Sequence, residues 1–289
     1  MHTANWVDFS RDQDTGIESI RAHFEGHAFD PHWHDTYAVG LTEQGVQRFH
    51  ARRERHVSTP GRVILLEPGE VHDGVGPEPG GFTYRLLYLD PHWLSRALAG
   101  LFEQAPPRHE IAFAATLSDD AGLAHAIGSA FEALHTGDIR MARQAALDRL
   151  LDRLTRHVSW RQQSGPSLIM PSLARRAQEY LHDHMMDDPG LDDLAAALGT
   201  DRFRLSRAFK AAFGLAPHAY LVQLRLARAR RRLFAGGRGR RRGVRGPEPS
   251  GALVSTCVRA HAGAIPAPLL KASRLKRWLR RHWPASEKA

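Results

Sequence analysis

Short apolar segments separated by turn residues characterise the chain between residues 20 and 90. Residues 36–42 and 46–51 flank a glycine-containing connection at 43–45, which predicts a β-hairpin. In the segment 82–90, strand alternation places four large apolar residues on one face: Phe82, Tyr84, Leu86 and Tyr88. Many short strands at this spacing predict a β-sandwich or a β-barrel.

Between residues 92 and 162 the apolar period changes to that of a helix. Two stripes on either side of Gly137 and Asp138 predict a helical hairpin, and they comprise Leu123, Ile127, Ala130 and Leu134, then Leu147, Leu150, Leu151, Leu154 and Val158. Two interpretations of the apolar stripes remain open. They pack against a second copy of the chain, which gives a homodimer, or their own domain covers them. The polar segment 161–171 contains a glycine and two prolines, and we expect it to be a linker.

The clearest helical pattern lies at 191–221. A first helix has its apolar face at Leu191, Leu194, Ala195 and Leu198, and a second has its apolar face at Leu205, Ala208, Phe209 and Ala212. Gly199 is placed to end the first helix, and Gly214 to end the second. Thr200 or Asp201 can cap the second helix. Two short helices joined by a tight glycine turn predict a helix-turn-helix.

The second helix also has a polar face opposite its apolar stripe. At about 100 degrees per residue, five residues fall within an arc of about 140 degrees, and they are Arg202, Phe203, Ser206, Arg207 and Lys210. Three cations and an aromatic residue, with no acidic residue after Asp201, favour DNA recognition by this face. The alternative is an ordinary helical hairpin with a solvated surface.

The net charge adds no independent support for DNA binding. The formal charge is +9 at pH 7, but 13 Lys and Arg against 2 Asp and Glu lie from Ala235 onward, so that the rest of the chain carries −2. Cys257 is the only cysteine, and we find neither a signal peptide nor an apolar run of the roughly 18 to 20 residues that span a bilayer. We therefore expect a cytoplasmic protein with no disulfide and no membrane segment.

Three histidines fall on the predicted strands, His32 and His34 in "HWHD" and His72 in "PGEVH". Alternation places His32 and His34 on one face, and a turn before His72 can bring it beside them. The segments "HWHDTYAVGLTEQGVQRF" and "GRVILLEPGEVHDG" resemble the two halves of the cupin fold found at the N-terminus of AraC-type regulators, over about residues 20–90. The resemblance implies a β-barrel that binds a small-molecule effector, with five candidate pocket residues, namely His32, His34, His72, Tyr37 and Tyr84.

The same comparison bears on metal binding. Metal-binding cupins place a carboxylate four or five residues after the histidine pair, where this chain has Ala38 and Val39, and Glu43 follows too late. His32, His34 and His72 could bind zinc or iron, since imidazole suits both metals. We nevertheless expect them to line a ligand pocket, with no metal and no other cofactor, and we expect that the chain is not an enzyme. A metal-dependent cupin isomerase or oxygenase is the alternative.

The segment "LSRAFKAAFGLAPHAYLVQLRLARARRRL" is similar to the first half of the AraC/XylS DNA-binding domain, and the similarity covers about residues 172–234. It implies that residues 201–213 form the recognition helix and that the helix from residue 217 to residue 233 connects to a second helix-turn-helix. The family pattern assigns two groups of side chains to DNA: Phe203, Ser206 and Arg207 to base edges, and Arg202 and Lys210 to phosphates.

The second helix-turn-helix of that family has no counterpart after Phe234. Residues 236–268 contain seven Gly and four Pro, and no apolar period survives for more than one turn. Of these 33 residues, 22 are Ala, Arg, Gly or Pro, which use codons whose first two bases are G or C. A GC-rich gene that is read in the wrong frame gives such a composition. This composition favours a frameshift near codons 235 to 245. A genuine basic arm that binds phosphates is the alternative.

These patterns predict an α+β protein. We expect a cupin-like effector-binding domain, which one interpretation also makes the dimerisation domain, at 1–160, a linker at 161–171, the first half of an AraC-type helix-turn-helix domain at 172–234, and an irregular basic tail at 235–289. The expected function is a transcriptional regulator that binds double-stranded DNA and a small-molecule effector. The alternatives are the metal-dependent cupin enzyme and an inactive effector-binding remnant with impaired DNA binding.

Overall fold

The computed structural model describes residues 5–99, 109–162, 172–187 and 189–235. A β-rich part with a helical layer is followed by a group of helices, which confirms the predicted α+β class. The predicted tail at 236–289 lies outside the described residues, as does most of the predicted linker. None of the described helices is both long enough and apolar enough to cross a membrane.

The larger of the two main sheets has six strands. They are β1 (Trp6–Arg11), β2 (Glu18–Phe24), β4 (Tyr37–Gly45), β7 (Val63–Leu66), β9 (Phe82–Leu89) and β11 (Leu117–Ser118), in the order β1-β2-β9-β4-β7-β11. The predicted apolar face of β9, which includes Tyr84 and Tyr88, packs into the core between the two sheets. Leu87 and Leu89 point to the opposite side and pack against helices. Both faces of this sheet are therefore buried.

The second sheet closes the barrel-like half. It consists of β3 (Gly26–His32), β5 (Gln47–Ala51), β6 (Glu54–Ser58) and β8 (His72–Gly76), in the order β3-β8-β5-β6. The predicted hairpin at 43–45 is wrong, because β4 runs through to Gly45 and pairs with β7 and β9, whereas β5 belongs to the second sheet. The hairpin partner of β5 is β6. Their turn is formed by Arg52 and Arg53, with φ of 51° and 67°, as a two-residue type I′ connection requires.

A helical layer covers the outer face of the six-stranded sheet. It comprises α1 (Pro91–Ala99), α2 (Ala121–Thr136) and α3 (Arg140–Leu154), beside a small sheet of β10 (His109–Phe113) and β12 (Val158–Gln162). The predicted stripes of α2 and α3 are buried against this sheet, so their own domain covers them. Gly137 ends α2 with φ of 70°, as the hairpin prediction required. Val158, predicted to be helical, instead begins β12.

The C-terminal described part is built from four helices. They are α4 (Ser172–Asp183), α5 (Leu191–Ala197), α6 (Arg202–Phe213) and α7 (Pro217–Ala235). Asp201 caps α6 by accepting hydrogen bonds from the backbone N–H groups of Phe203 and Arg204. Gly199 and Gly214 adopt φ of 63° and 74°, which confirms the predicted helix ends. On α7 the buried residues include Tyr220, Leu221 and Leu224, and Val222 is only partly buried.

Candidate functional site

The three histidines meet inside the barrel. His32 ends β3 and is the direct register partner of His72 in β8, and His34 follows two residues later. Their ring centroids lie 4.3 Å apart for His32 and His72, 4.8 Å for His32 and His34, and 4.9 Å for His34 and His72. All three side chains are buried. The predicted juxtaposition of the three rings is present in the structure.

Backbone carbonyls orient two of these rings. Nδ1 of His32 lies 2.9 Å from the carbonyl oxygen of Asp30, and Nδ1 of His72 lies 2.9 Å from that of Glu70. A carbonyl oxygen can only accept, so each Nδ1 carries the proton and each Nε2 keeps a free lone pair. Burial lowers the pKa of His72 to about 4. Burial, reinforced by the nearby His72, holds the pKa of His32 well below its usual value. At neutral pH both rings are therefore uncharged hydrogen-bond acceptors.

The histidines line a cavity between the two sheets. Its other walls are formed by Phe29, Gln47, Phe49, Ile64, Leu66, Asp73, Tyr84, Leu86 and Tyr88. The free volume is about 20 Å³, room for roughly one water molecule. An effector of several heavy atoms therefore needs some of these side chains to move.

Two predicted pocket residues occupy different places. Tyr84 lines the cavity, and burial raises the pKa of its hydroxyl well above the usual value. Tyr37 instead packs in the core beneath the helical layer, where its ring lies 5.4 Å from that of Phe113 and its hydroxyl donates to the carbonyl of Ile111 at 2.6 Å. Tyr37 is therefore a core residue and not the pocket residue that we predicted, because its side chain points from β4 towards the helical layer.

The histidine donor set fits a metal ion in two respects. The ring nitrogens of the three residues all lie within 4.8 Å of one another, and an Nδ1–H donated to a carbonyl is the usual orientation of a metal-binding histidine. Asp73, the carboxylate that lines the cavity, is otherwise engaged, since it bonds to the ring of His50 at 3.0 Å. Glu43 lies outside the cavity and pairs with Arg21 at 2.6 Å.

The stability of the barrel is expected to fall as the pH is lowered from about 6.5 towards 4. The folded-state pKa of His72 lies below its unfolded value, so the unfolded chain takes up the proton first and acid favours unfolding. From the shift to about 4, the loss between pH 7 and pH 4 is about 3 kcal/mol from His72 alone. Urea unfolding at both pH values, compared with His72→Gln, measures this difference. An equal pH dependence in both proteins would contradict it.

The second candidate site is the outward face of α6. Arg202, Phe203, Arg207 and Lys210 are exposed, and Ser206 is partly exposed. Phe203 is 66% exposed although it is a large apolar residue. The guanidinium of Arg202 lies 4.9 Å from the centroid of its ring, within the range of a cation–π contact. The structure thus keeps all five predicted residues off the helix core, whose buried side includes Leu205 and Phe209.

Sequence reasoning missed several cavity residues. Tyr88 lies on the same face of β9 as Tyr84, so the alternation of that strand could have identified it. Gln47 and Phe49 had no such signal, because β5 had been paired with the wrong strand. Correct pairing is needed before the inward face of β5 can be assigned.

Comparison with known families gives two matches that follow the two parts of the structure. The family described as AraC-like ligand binding domain matches residues 14–154. The family described as bacterial regulatory helix-turn-helix proteins, AraC family, matches residues 181–221. The first match contains the histidine cavity, and the second contains α6.

Individual proteins show weaker likenesses. The uncharacterized HTH-type transcriptional regulator YbfI of Bacillus subtilis (strain 168) is 25% identical over 229 residues, which span 77% of this chain and 80% of YbfI. The structure of unsaturated fatty acid bound ToxT from Vibrio cholerae strain SCE256 has a TM-score of 0.45 at 10% identity, covering 96% of this chain and 92% of ToxT. KdgF from Halomonas sp. has a TM-score of 0.27 at 19% identity, covering 29% of this chain and 77% of KdgF.

The barrel matches the ligand-binding family and the helices that follow it match the DNA-binding family. The chain belongs to the AraC family of transcriptional regulators and couples a small-molecule-binding domain to a DNA-binding domain.

Proposed function

We propose that the chain reads DNA with the exposed face of α6 and binds its effector in the histidine cavity. The observation that carries the first half is the exposure of Phe203 beside Arg202, Arg207 and Lys210 on a helix whose other side is buried. Phe203, Ser206 and Arg207 are assigned to base edges. Arg202 and Lys210 are assigned to phosphates, which fix the position of the helix without reading sequence.

Selection of bound sequences from a random DNA pool tests this half of the proposal. A single helix-turn-helix in one major groove is expected to recover one recurrent short motif. Recovery of unrelated sequences with equal affinity would show that α6 binds only the phosphate backbone, and the inactive remnant would then be the better description.

The proposal that the effector binds in the histidine cavity rests on the polarity of that cavity. His32 and His72 present lone pairs and no charge, so they favour a ligand that brings hydrogen-bond donors, such as hydroxyl or ammonium groups. The other polar lining residues are His34, Gln47, Asp73, Tyr84 and Tyr88, and the apolar wall is formed by Phe29, Phe49, Ile64, Leu66 and Leu86. This combination of a few polar groups with an apolar wall is typical of small-molecule sites.

A divalent metal ion is the second candidate occupant, and the convergence of the three ring nitrogens favours it. We expect the chain to purify largely free of metal and to keep its melting temperature when a chelator is added, because Ala38 and Val39 stand where metal-binding cupins place a carboxylate ligand. Metal analysis and thermal melting measure both quantities. Stoichiometric zinc or iron that His72→Ala abolishes would overturn this expectation and would favour the metal-dependent cupin enzyme over a binding domain that converts no ligand.

A homodimer stays a prediction. The stripes of α2 and α3 that suggested it are buried within their own domain, so a dimer contact requires another surface. Ile139 and Met141, 72% and 77% exposed where α3 begins, are the large apolar side chains closest to that hairpin turn.

A further inference from the structure

The histidine cavity and the helix-turn-helix domain lie on opposite sides of one wall of the barrel. Trp33 stands between His32 and His34 in the chain, and Val71 directly precedes His72. The three histidines point into the cavity. Trp33 and Val71 point away from it and pack against the core of the four C-terminal helices. Each cavity histidine is thus a chain neighbour of a residue that contacts the other domain.

Two apolar contacts join this wall to the helices. The ring of Trp33 lies 6.2 Å from that of Tyr220, at the start of α7. Val71 lies against Gly214, so closely that a Cβ added to this glycine would come within 3.4 Å of the valine side chain. Both contacts are made at the junction of α6 and α7.

A third contact reaches the end of α6 itself. Nη2 of Arg53 donates to the carbonyl oxygen of Ala211 at 3.2 Å. This carbonyl is among the last four of the helix, which have no partner within it, and a cation is favourable at a helix C-terminus. The barrel therefore holds the C-terminal end of α6 and leaves the exposed face around Phe203 available.

Tyr220 connects the docking contact to the whole domain. Its ring packs against those of Phe209 and Phe213 of α6, at 5.3 Å and 5.5 Å between centroids. Its hydroxyl accepts a hydrogen bond from Nε2 of Gln178 of α4 at 2.8 Å. A displacement of Trp33 therefore acts on the residue that ties α7 to both α6 and α4.

The docked arrangement leaves one donor unsatisfied. Nε1 of Trp33 is buried and has no hydrogen-bond partner among the described residues. A buried N–H without an acceptor disfavours the state that contains it, and water would satisfy this N–H when the domains separate. Apolar packing thus stabilises the contact between the domains, and the unsatisfied N–H of Trp33 weakens it.

We propose that Trp33, Val71 and Arg53 form a docking surface for the helix-turn-helix domain, and that the occupant of the histidine cavity sets the strength of docking by displacing Trp33 and Val71. This regulation rests on the proposed function of the cavity. A ligand that pushes the histidines apart also moves the backbone of Trp33 and Val71, because these two residues are their chain neighbours. Docking then determines how firmly α6 is held relative to the barrel, and it does not cover the DNA-reading face.

Amide hydrogen exchange on the full chain tests the docking surface. Trp33→Ala is expected to raise exchange in residues 214–221 on the order of fivefold, the size that a lost aromatic contact implies. Trp93→Ala is the matched control, because Trp93 packs on the other side of the barrel domain, and it should leave residues 214–221 unchanged. Exchange within β9 reports that the barrel stays folded. Unchanged exchange of residues 214–221 in Trp33→Ala would overturn the docking surface.

The proposed effect of the cavity histidines on docking, here called the relay, is tested by substituting these histidines. His34→Asn is expected to alter exchange in residues 214–221 in the otherwise unchanged protein but not in the Trp33→Ala background. His72→Gln provides a second cavity variant on another strand, for the case that His34→Asn loosens β9. Equal effects in both backgrounds would overturn the relay. Because exchange is read without DNA or effector, a failure of the proposed DNA-binding function would leave these outcomes unaffected.

Discussion

Replacing Phe209 with alanine is expected to unfold the helix-turn-helix domain while the barrel stays folded. Phe209 is fully buried and contacts the rings of Phe213 and Tyr220. Truncation of a buried phenylalanine costs about 3 to 5 kcal/mol, a large part of the roughly 5 to 15 kcal/mol that stabilises a typical domain. Urea unfolding followed by helical circular dichroism, with exchange in β9 as the barrel reporter, measures the loss.

Phe203→Ala is the matched control on the same helix. Phe203 is 66% exposed, so its removal should change the free energy of unfolding by no more than about 0.5 kcal/mol. It should nevertheless weaken DNA binding, since the side chain lies on the proposed reading face. A loss of stability as large as that of Phe209→Ala would show that this face packs against protein instead of DNA.

Arg207→Ala is expected to weaken binding to the selected DNA motif by about 1 to 3 kcal/mol, roughly 5-fold to 150-fold, and to relax discrimination at one base pair. Lys210→Ala should weaken binding to every sequence about equally and lower the salt slope by about one, because a phosphate contact carries no sequence information. Fluorescence anisotropy on the motif and on its single-base variants separates these two effects.

The control for loss of charge alone is Arg156→Ala. Arg156 is an exposed cation in the N-terminal domain, and its removal should leave the ranking of motif variants unchanged. If Arg207→Ala also leaves that ranking unchanged, Arg207 does not read a base and the assignment of the recognition face is wrong.

The helix-turn-helix was predictable because its signals are local. The stripe on α6, the cap at Asp201 and the left-handed glycines at 199 and 214 each depend on residues within one or two turns. The three predicted helices of this domain accordingly lie close to α5, α6 and α7.

The barrel was predictable in pattern but not in pairing. Alternation along single strands sufficed to bring His32, His34 and His72 together. The hairpin prediction at 43–45 failed because the true turn uses Arg52 and Arg53 in positive φ, where no glycine marks it.

The misassigned tyrosine has a related cause. Both faces of β4 are buried, so its sequence shows no polar side that would distinguish cavity from helical layer, and Tyr37 was placed on the wrong one. The contact of Trp33 with Tyr220 joins residues of two domains. No local pattern encodes it.

We propose that the described helix-turn-helix, and not the basic residues that follow it, recognises the DNA sequence. The most direct test compares the full chain with a chain ending at Ala235 in a salt titration on the selected motif and on scrambled DNA. We predict that removal of residues 236–289, with 13 Lys and Arg after Ala235, flattens the salt dependence on both DNAs and leaves the base preference unchanged. Loss of the base preference in the shortened chain would contradict the account.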